Sequence, residues 1–392
     1  MESPNESVGI ARAQRTRIKG EVVYIRAFDL AYDMRRERIP RILGQAVHDY
    51  VVGPTKPAPK HGFFYRPQMV TLPSRTYESS VGELEASMTT KVFSVGAVSI
   101  QVRMPFEVSS IDELVKYYGL QVAGGSIEEE IVSVAERVRR ELDSYLVRPV
   151  PALDEGEDYT VFCIYQIPSA PEHEAIAHAA EDVLHERHSA AEDWLMQNRR
   201  AVAALLTQEE DASRLSDQEM IESTERYLSY YESDLVVTDW DAALVVGEQD
   251  SLEEVLHVME LANVQLAELG AYDRVLDGAL DVAYRDLART RHIRGEVSRN
   301  LREIRVDMAR LNDELRNITK FFGDWHLAKI YQNLSERFHL SDWHGIIDVK
   351  LRTLAELYQL LHQDWINSWM VILETTIVLL FIIDVILLLI SS

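Results

Sequence analysis

Apolar and polar positions change period twice along the chain. In the first third they alternate. Glu21–Leu30, with Val22, Val23, Tyr24 and Ile25, predicts a first strand, and Val98, Ile100, Val102 and Met104 alternate within a second. Gly96 separates that second strand from Lys91–Val95, which predicts a strand pair. Tyr159–Ile167 is apolar on both faces, as a central strand is. Ser110 with Glu113, and Ser126 with Glu129, have capping-box spacing and predict two helix starts. The second leads into an apolar face of Ile127, Ile131, Val134, Val138 and Leu142. Prolines 54, 57, 59, 67 and 73 predict an irregular connection over 51–75, and Pro149, Pro151, Pro168 and Pro171 predict a border near 168. Residues 172–232 read as helical and charged, and Leu235–Val246 as a short hairpin or an edge addition.

From Leu252 the period becomes helical. Positions spaced three and four apart run to Ile318, and they are apolar except at Asp273, Thr290 and Arg294. The assembly seam expected from them is Leu252, Val255, Met259, Leu266, Leu276, Leu280, Leu287, Val297, Leu301, Ile304, Met308, Leu311 and Leu315. Gly270, Gly278 and Gly295 allow kinks or chain reversals, and Phe321–Trp325 predicts a reversal. A second stripe follows at Trp343, Ile347, Leu354, Leu357 and Leu361, interrupted by Lys350. Then come the 22 residues Trp369–Ile390, of which 18 are apolar. As a helix they extend about 33 Å, enough for a hydrocarbon core of about 30 Å.

These patterns predict an α+β protein in five parts. They are a flexible N-terminus at 1–20, a mixed α/β head at 21–168, and a helical connector with a short β-like segment at 172–250. A coiled-coil or helical-hairpin stalk at 252–366 and a single C-terminal transmembrane helix at 369–390 complete it.

Charge narrows the partners. Of 40 Lys and Arg and 64 Asp and Glu, residues 1–150 hold 20 and 19, so the remaining 20 and 45 leave the rest of the chain at −25. Such acidity disfavours direct nucleic-acid binding, which needs a basic surface. The lone Cys163 excludes an intrachain disulfide and a thiol-rich metal knuckle. The first twenty residues lack a continuous apolar run, so the expectation is a C-terminal anchor with the bulk of the chain cytoplasmic.

Candidate chemistry is sparse. Glu174, His178, Glu181, His185 and His188 fall on one helix face and are the candidate divalent-metal ligands. Five such groups span about 21 Å of helix, too far for one site without partner ligands. The alternative is a hydrated acidic surface. Asp239 and Asp241 fit a turn better than a metal site. No phosphate loop, dinucleotide fingerprint or GxSxG elbow occurs, so no cofactor is expected. Glu374 and Asp384 are the intramembrane polar residues, ten positions apart. An ionised carboxylate at that depth costs about 2.5–3.5 kcal/mol on insertion scales, so such acids usually face partners or water.

Phe321–Tyr331 (with Asp324, Leu327 and Tyr331), Leu351, Leu354 and Leu357, and the acid-bearing tail with Leu373, Glu374 and Asp384 resemble the "required for meiotic nuclear division" family and its YagE-like microbial members. That resemblance implies membrane tethering and assembly, with no assigned reaction. The expected function is a non-catalytic, membrane-anchored homo-oligomeric scaffold, with lipid bilayer and an unknown protein, recruited through the head, as partners. Alternatives are an ion-conducting or ion-responsive assembly using Glu374 and Asp384, and a metal-dependent enzyme using the face with His178, His185 and His188.

Overall fold

The computed structural model of the chain describes residues 17–35, 37–50, 67–150, 153, 156–166, 189–288 and 325–391. Contacts divide it into two units, Met1–Val264 with Phe322–Phe338, and Gln265–Phe321 with His339–Ser392.

The first unit is built on β1 (Ile18–Asp29), β2 (Gln68–Ser79), β3 (Gly82–Val92), β4 (Ala97–Val108), β5 (Glu157–Ile164), β6 (Leu235–Thr238) and β7 (Ala242–Val246). With four two-residue strands they form one 11-stranded sheet, in which the long strands run in the order β2-β3-β4-β1-β5-β7-β6. β1 pairs antiparallel with both β4 and β5, and β5 pairs parallel with β7. The sheet therefore continues past the border expected near 168. β5 is apolar on both faces and needs a neighbour on its outer edge. The hairpin of β6 and β7 supplies it, and a parallel pair requires the long intervening connection.

Proline content over 51–75 overstated irregularity. Residues 51–66 lie outside the described part, but 68–79 is strand. Its register with β3 shifts between Leu72 and Arg75, and Pro73 falls in that bulge, where no ladder N–H is required. The β3–β4 turn depends on Gly96, at φ +102°, where an added Cβ would sit 2.1 Å from the Ala31 carbonyl oxygen.

One face of the sheet carries Val22, Tyr24, Phe28, Ile100, Val102, Met104, Phe162 and Leu244 in a single buried core with α1 (Ile127–Leu142) and α2 (Ala190–Leu206). Ser126 caps α1 as expected: its hydroxyl accepts from the Glu129 amide at 3.1 Å while Glu129 accepts from the Ser126 amide. Ser110 forms no such box. The segment after it, Ile111–Tyr117, winds as a 3₁₀ helix, and the Glu113 amide donates to the Ser110 carbonyl, leaving the hydroxyl no donor. In the region read as helical and charged, α2 and α3 (Asp217–Thr224) are described.

Helix α4 (Gln249–Ala288) runs unbroken through Gly270 and Gly278, so neither makes a reversal. It is buried on every side from Val255 to Ala271. Helix α5 (Trp325–Arg337) belongs to the first unit although it falls within the expected stalk. Arg226 meets Glu336 at 2.6 Å, and Arg337 meets Asp239 at 3.6 Å.

In the second unit the remainder of α4 is joined by α6 (Leu340–Ser391), 52 residues long. Lys350 and Asp273, polar interruptions in two apolar stripes, meet there: Lys350 Nζ lies 2.6 Å from Asp273 and 2.6 Å from Asp277. Ile347, Leu351 and Leu354 are buried around that contact, as an apolar helical stripe should be. Trp369–Leu387 is long and apolar enough to cross a membrane, and none of that window is buried.

Candidate functional site

The second face of the sheet is polar at its centre. Antiparallel register places Lys91 opposite Ser99 and Ser87 opposite Arg103, with Ala27, Ile25 and Val23 of β1 alongside. Helix α4 covers this strip with Glu253, His257 and Glu260, residues i, i+4 and i+7 on one helical side.

Arg103 and Glu253 form a double hydrogen bond, one arm of which is 2.9 Å, and Glu21 stands 3.7 Å from the same guanidinium. Lys91 binds Glu260 directly, and their side chains are 3% and 0% exposed. The Lys91 ammonium also lies 4.0 Å from the Tyr50 ring centroid, and Tyr50 packs on His257 at 5.0 Å. His257 Nδ1 is 3.7 Å from Glu260, and Asn263 donates to the Glu157 carbonyl at 2.8 Å, tying the helix to β5.

The electrostatics follow from burial and pairing. Burial alone would raise the Glu260 carboxyl, but Lys91 and the His257 contact outweigh it and hold it below the usual carboxylate range. Burial pushes the His257 imidazole down, so it is neutral near pH 7. The Arg103 bond lowers Glu253, whereas burial raises Glu21. Glu260 Oε1, His257 Nδ1, Gln101 Nε2 and Ser99 Oγ have no protein hydrogen-bond partner. The cluster locks a helix to a sheet in one register. Each of its two basic groups is already engaged by a carboxylate.

Other candidate chemistry is accounted for. Asp239 and Asp241 flank the β6–β7 turn; Asp239 accepts from the Trp240 amide at 2.9 Å and faces Arg337. Cys163 is buried and its thiol is pushed up by burial, unlike a nucleophile or ligand. Among the described residues, no group of three or more His, Cys, Asp or Glu has an arrangement to hold a metal ion. Glu174, His178, Glu181, His185 and His188 lie outside the described residues. Val297, Leu301, Ile304, Met308, Leu311 and Leu315 of the expected seam do so too. The described seam positions Leu252, Val255, Met259, Leu266 and Leu276 are buried within one chain, and Leu280 and Leu287 are half-buried. Glu374 and Asp384 are exposed on α6.

Lys91, His257 and Glu260 were not singled out by sequence reasoning. The available signal was Glu253, His257 and Glu260 at helical spacing within an otherwise apolar run, matched by Ser99, Gln101 and Arg103 between apolar strand positions.

Residues 19–252 match the family described as "Uncharacterized protein MJ0711, N-terminal domain". The chain belongs to that family. The uncharacterized protein MJ0711 of Methanocaldococcus jannaschii is 23% identical over 203 residues, covering 51% of this chain and 62% of its own length. The chain thus spans less than two thirds of that curated relative. No solved structure matches. The MJ0711 domain contains β1 to β7 with Lys91 and Arg103, and it ends one residue before Glu253.

Proposed function

We propose that this protein is a non-catalytic, membrane-anchored scaffold. The MJ0711 domain serves as the recognition head, helices α4 and α6 as a stalk, and Trp369–Ile390 as a single span. The observation that carries this reading is the wholly unburied apolar helix Trp369–Leu387. Nineteen helical residues extend about 28 Å, close to a hydrocarbon core of about 30 Å. In water, so large a continuous apolar surface is an association site; in lipid it is solvated. The resemblance of the tail helix to the membrane-tethered meiotic-division family supports the same reading.

Helix α6 passes without interruption from the Lys350 contact into the apolar segment, so a stalk and an anchor of this kind are one continuous rod. The head and most of the acidic charge then remain in the cytoplasm, and the assembly is homo-oligomeric. Function needs no turnover: holding a bound partner at a surface raises its effective concentration there.

Membrane fractionation tests the proposal. The full chain is expected to remain in the pellet after alkaline carbonate washing, and deletion of 369–392 to release a folded protein with unchanged head circular dichroism. Carbonate-resistant retention of the deleted form, or a full chain that stays monodisperse without detergent, overturns it.

A further inference from the structure

Within the apolar part of α6, polar side chains fall into two kinds. Thr375 and Thr376 donate to the Val371 and Ile372 carbonyls of their own helix at 2.7 and 2.8 Å, and so need nothing from outside. Glu374 and Asp384 make no such return and are exposed. Counting in alternating threes and fours from Glu374 reaches Ile377, Phe381 and Asp384, so both acids sit on one heptad stripe. Leu379 and Ile386 occupy the opposite side. The stripe that is buried upstream, through Ile347 and Leu354, continues instead to Thr375, Val378, Ile382 and Val385. The acids therefore mark a separate face.

We propose that this face docks a second copy of the chain, the two spans lying parallel with Glu374 and Asp384 each meeting their own counterpart. The inference rests on the membrane-anchor reading above. Complementarity selects the occupant. No Lys, Arg or His occurs from Trp369 to Ile390, so no counter-charge is at hand in the span. A protonated carboxyl both donates and accepts a hydrogen bond, so it is complementary to an identical carboxyl at the same depth. A parallel two-fold pair is the arrangement that matches both positions at once, because identical residues then face each other across the axis.

Cysteine cross-linking of the full chain in phosphatidylcholine vesicles tests this, since the native Cys163 is buried. After a carbonate wash, Phe381→Cys is expected to form oxidised dimer at least about ten times faster than Leu379→Cys, given the packing of seam positions against their counterparts. Glu374→Leu with Asp384→Leu should abolish that difference, whereas Glu374→Gln with Asp384→Asn, which keep donors and acceptors, should preserve it. Equal rates at the two positions, or a preference that survives the leucine pair, overturn the inference. A Phe381→Cys adduct to a different protein in native membranes, with monomer in vesicles, also overturns it in favour of a base-bearing foreign helix. Failure of the chain to remain in washed vesicles instead removes the anchor reading itself.

Discussion

Lys91 and Glu260 show how a single polar pair constrains the head. Both side chains are out of water, so removing one partner leaves an uncompensated buried charge, at a cost of about 3–5 kcal/mol. Lys91→Met and Glu260→Gln are each expected to destabilise the head by that order in urea unfolding, and the double variant Lys91→Met with Glu260→Leu by much less than the sum. Additive losses would mean that the two groups do not act as a pair. The same cluster sets an acid response. His257 is held neutral by burial, so its folded value lies below the unfolded one. The unfolded chain takes up a proton first, and stability falls as pH drops through about 6.5. Glu260 is held low by Lys91, so its contribution is present above about 4.3 and is lost as pH falls towards the folded value. Asp158, pushed up to about 6 by burial, works in the opposite direction. His257→Gln should therefore flatten the decline between roughly pH 7 and 5 while leaving the steeper loss below it, as read from urea midpoints across pH.

At the scale of elements, backbone geometry and capping decide more than propensity does. Gly96→Ala forces a Cβ against the Ala31 carbonyl at a positive φ, and a loss of about 1–3 kcal/mol is expected in chemical denaturation. Ser126→Ala removes a formed box and should cost about 1 kcal/mol, whereas Ser110→Ala, at a site with no side-chain cap bond, should be close to neutral. That contrast also marks what was legible in advance. Ser110 and Ser126 carry the same spacing to a glutamate, and only the local winding distinguishes them. Alternation located β1, β4 and β5 because one of their faces is uniformly apolar. It could not announce that β7 joins β5 across the sequence between them, because strand pairing is set by which edge is left unfilled. Helix α4 kept its heptad stripe. The stripe concealed a second role, because its polar positions answer a polar strip on strands more than 140 residues earlier.

For the whole molecule, the division into two units predicts that mutational effects will segregate. Lys350→Met, which unpairs Asp273 and Asp277, should lower the unfolding temperature of the unit containing α6 and leave the other transition unmoved. Lys91→Met should do the reverse, in calorimetry of the detergent-solubilised chain. A single transition shifted by both would make the two units one cooperative body. The candidate site was the least legible part at this scale. Sequence reading favoured the histidines around 178 and the acids in the tail, where ionisable groups stand out from their surroundings. It passed over Lys91 and Glu260, whose importance comes from being brought together.

The family match stops at residue 252, and the carboxylates that answer Lys91 and Arg103 begin at 253. Cut at that limit, the domain would present two cations on an otherwise enclosed face with nothing to neutralise them. Any protein that carries this domain must therefore bring acidic residues of its own to the same spot, and what it appends there is part of the fold rather than an accessory to it.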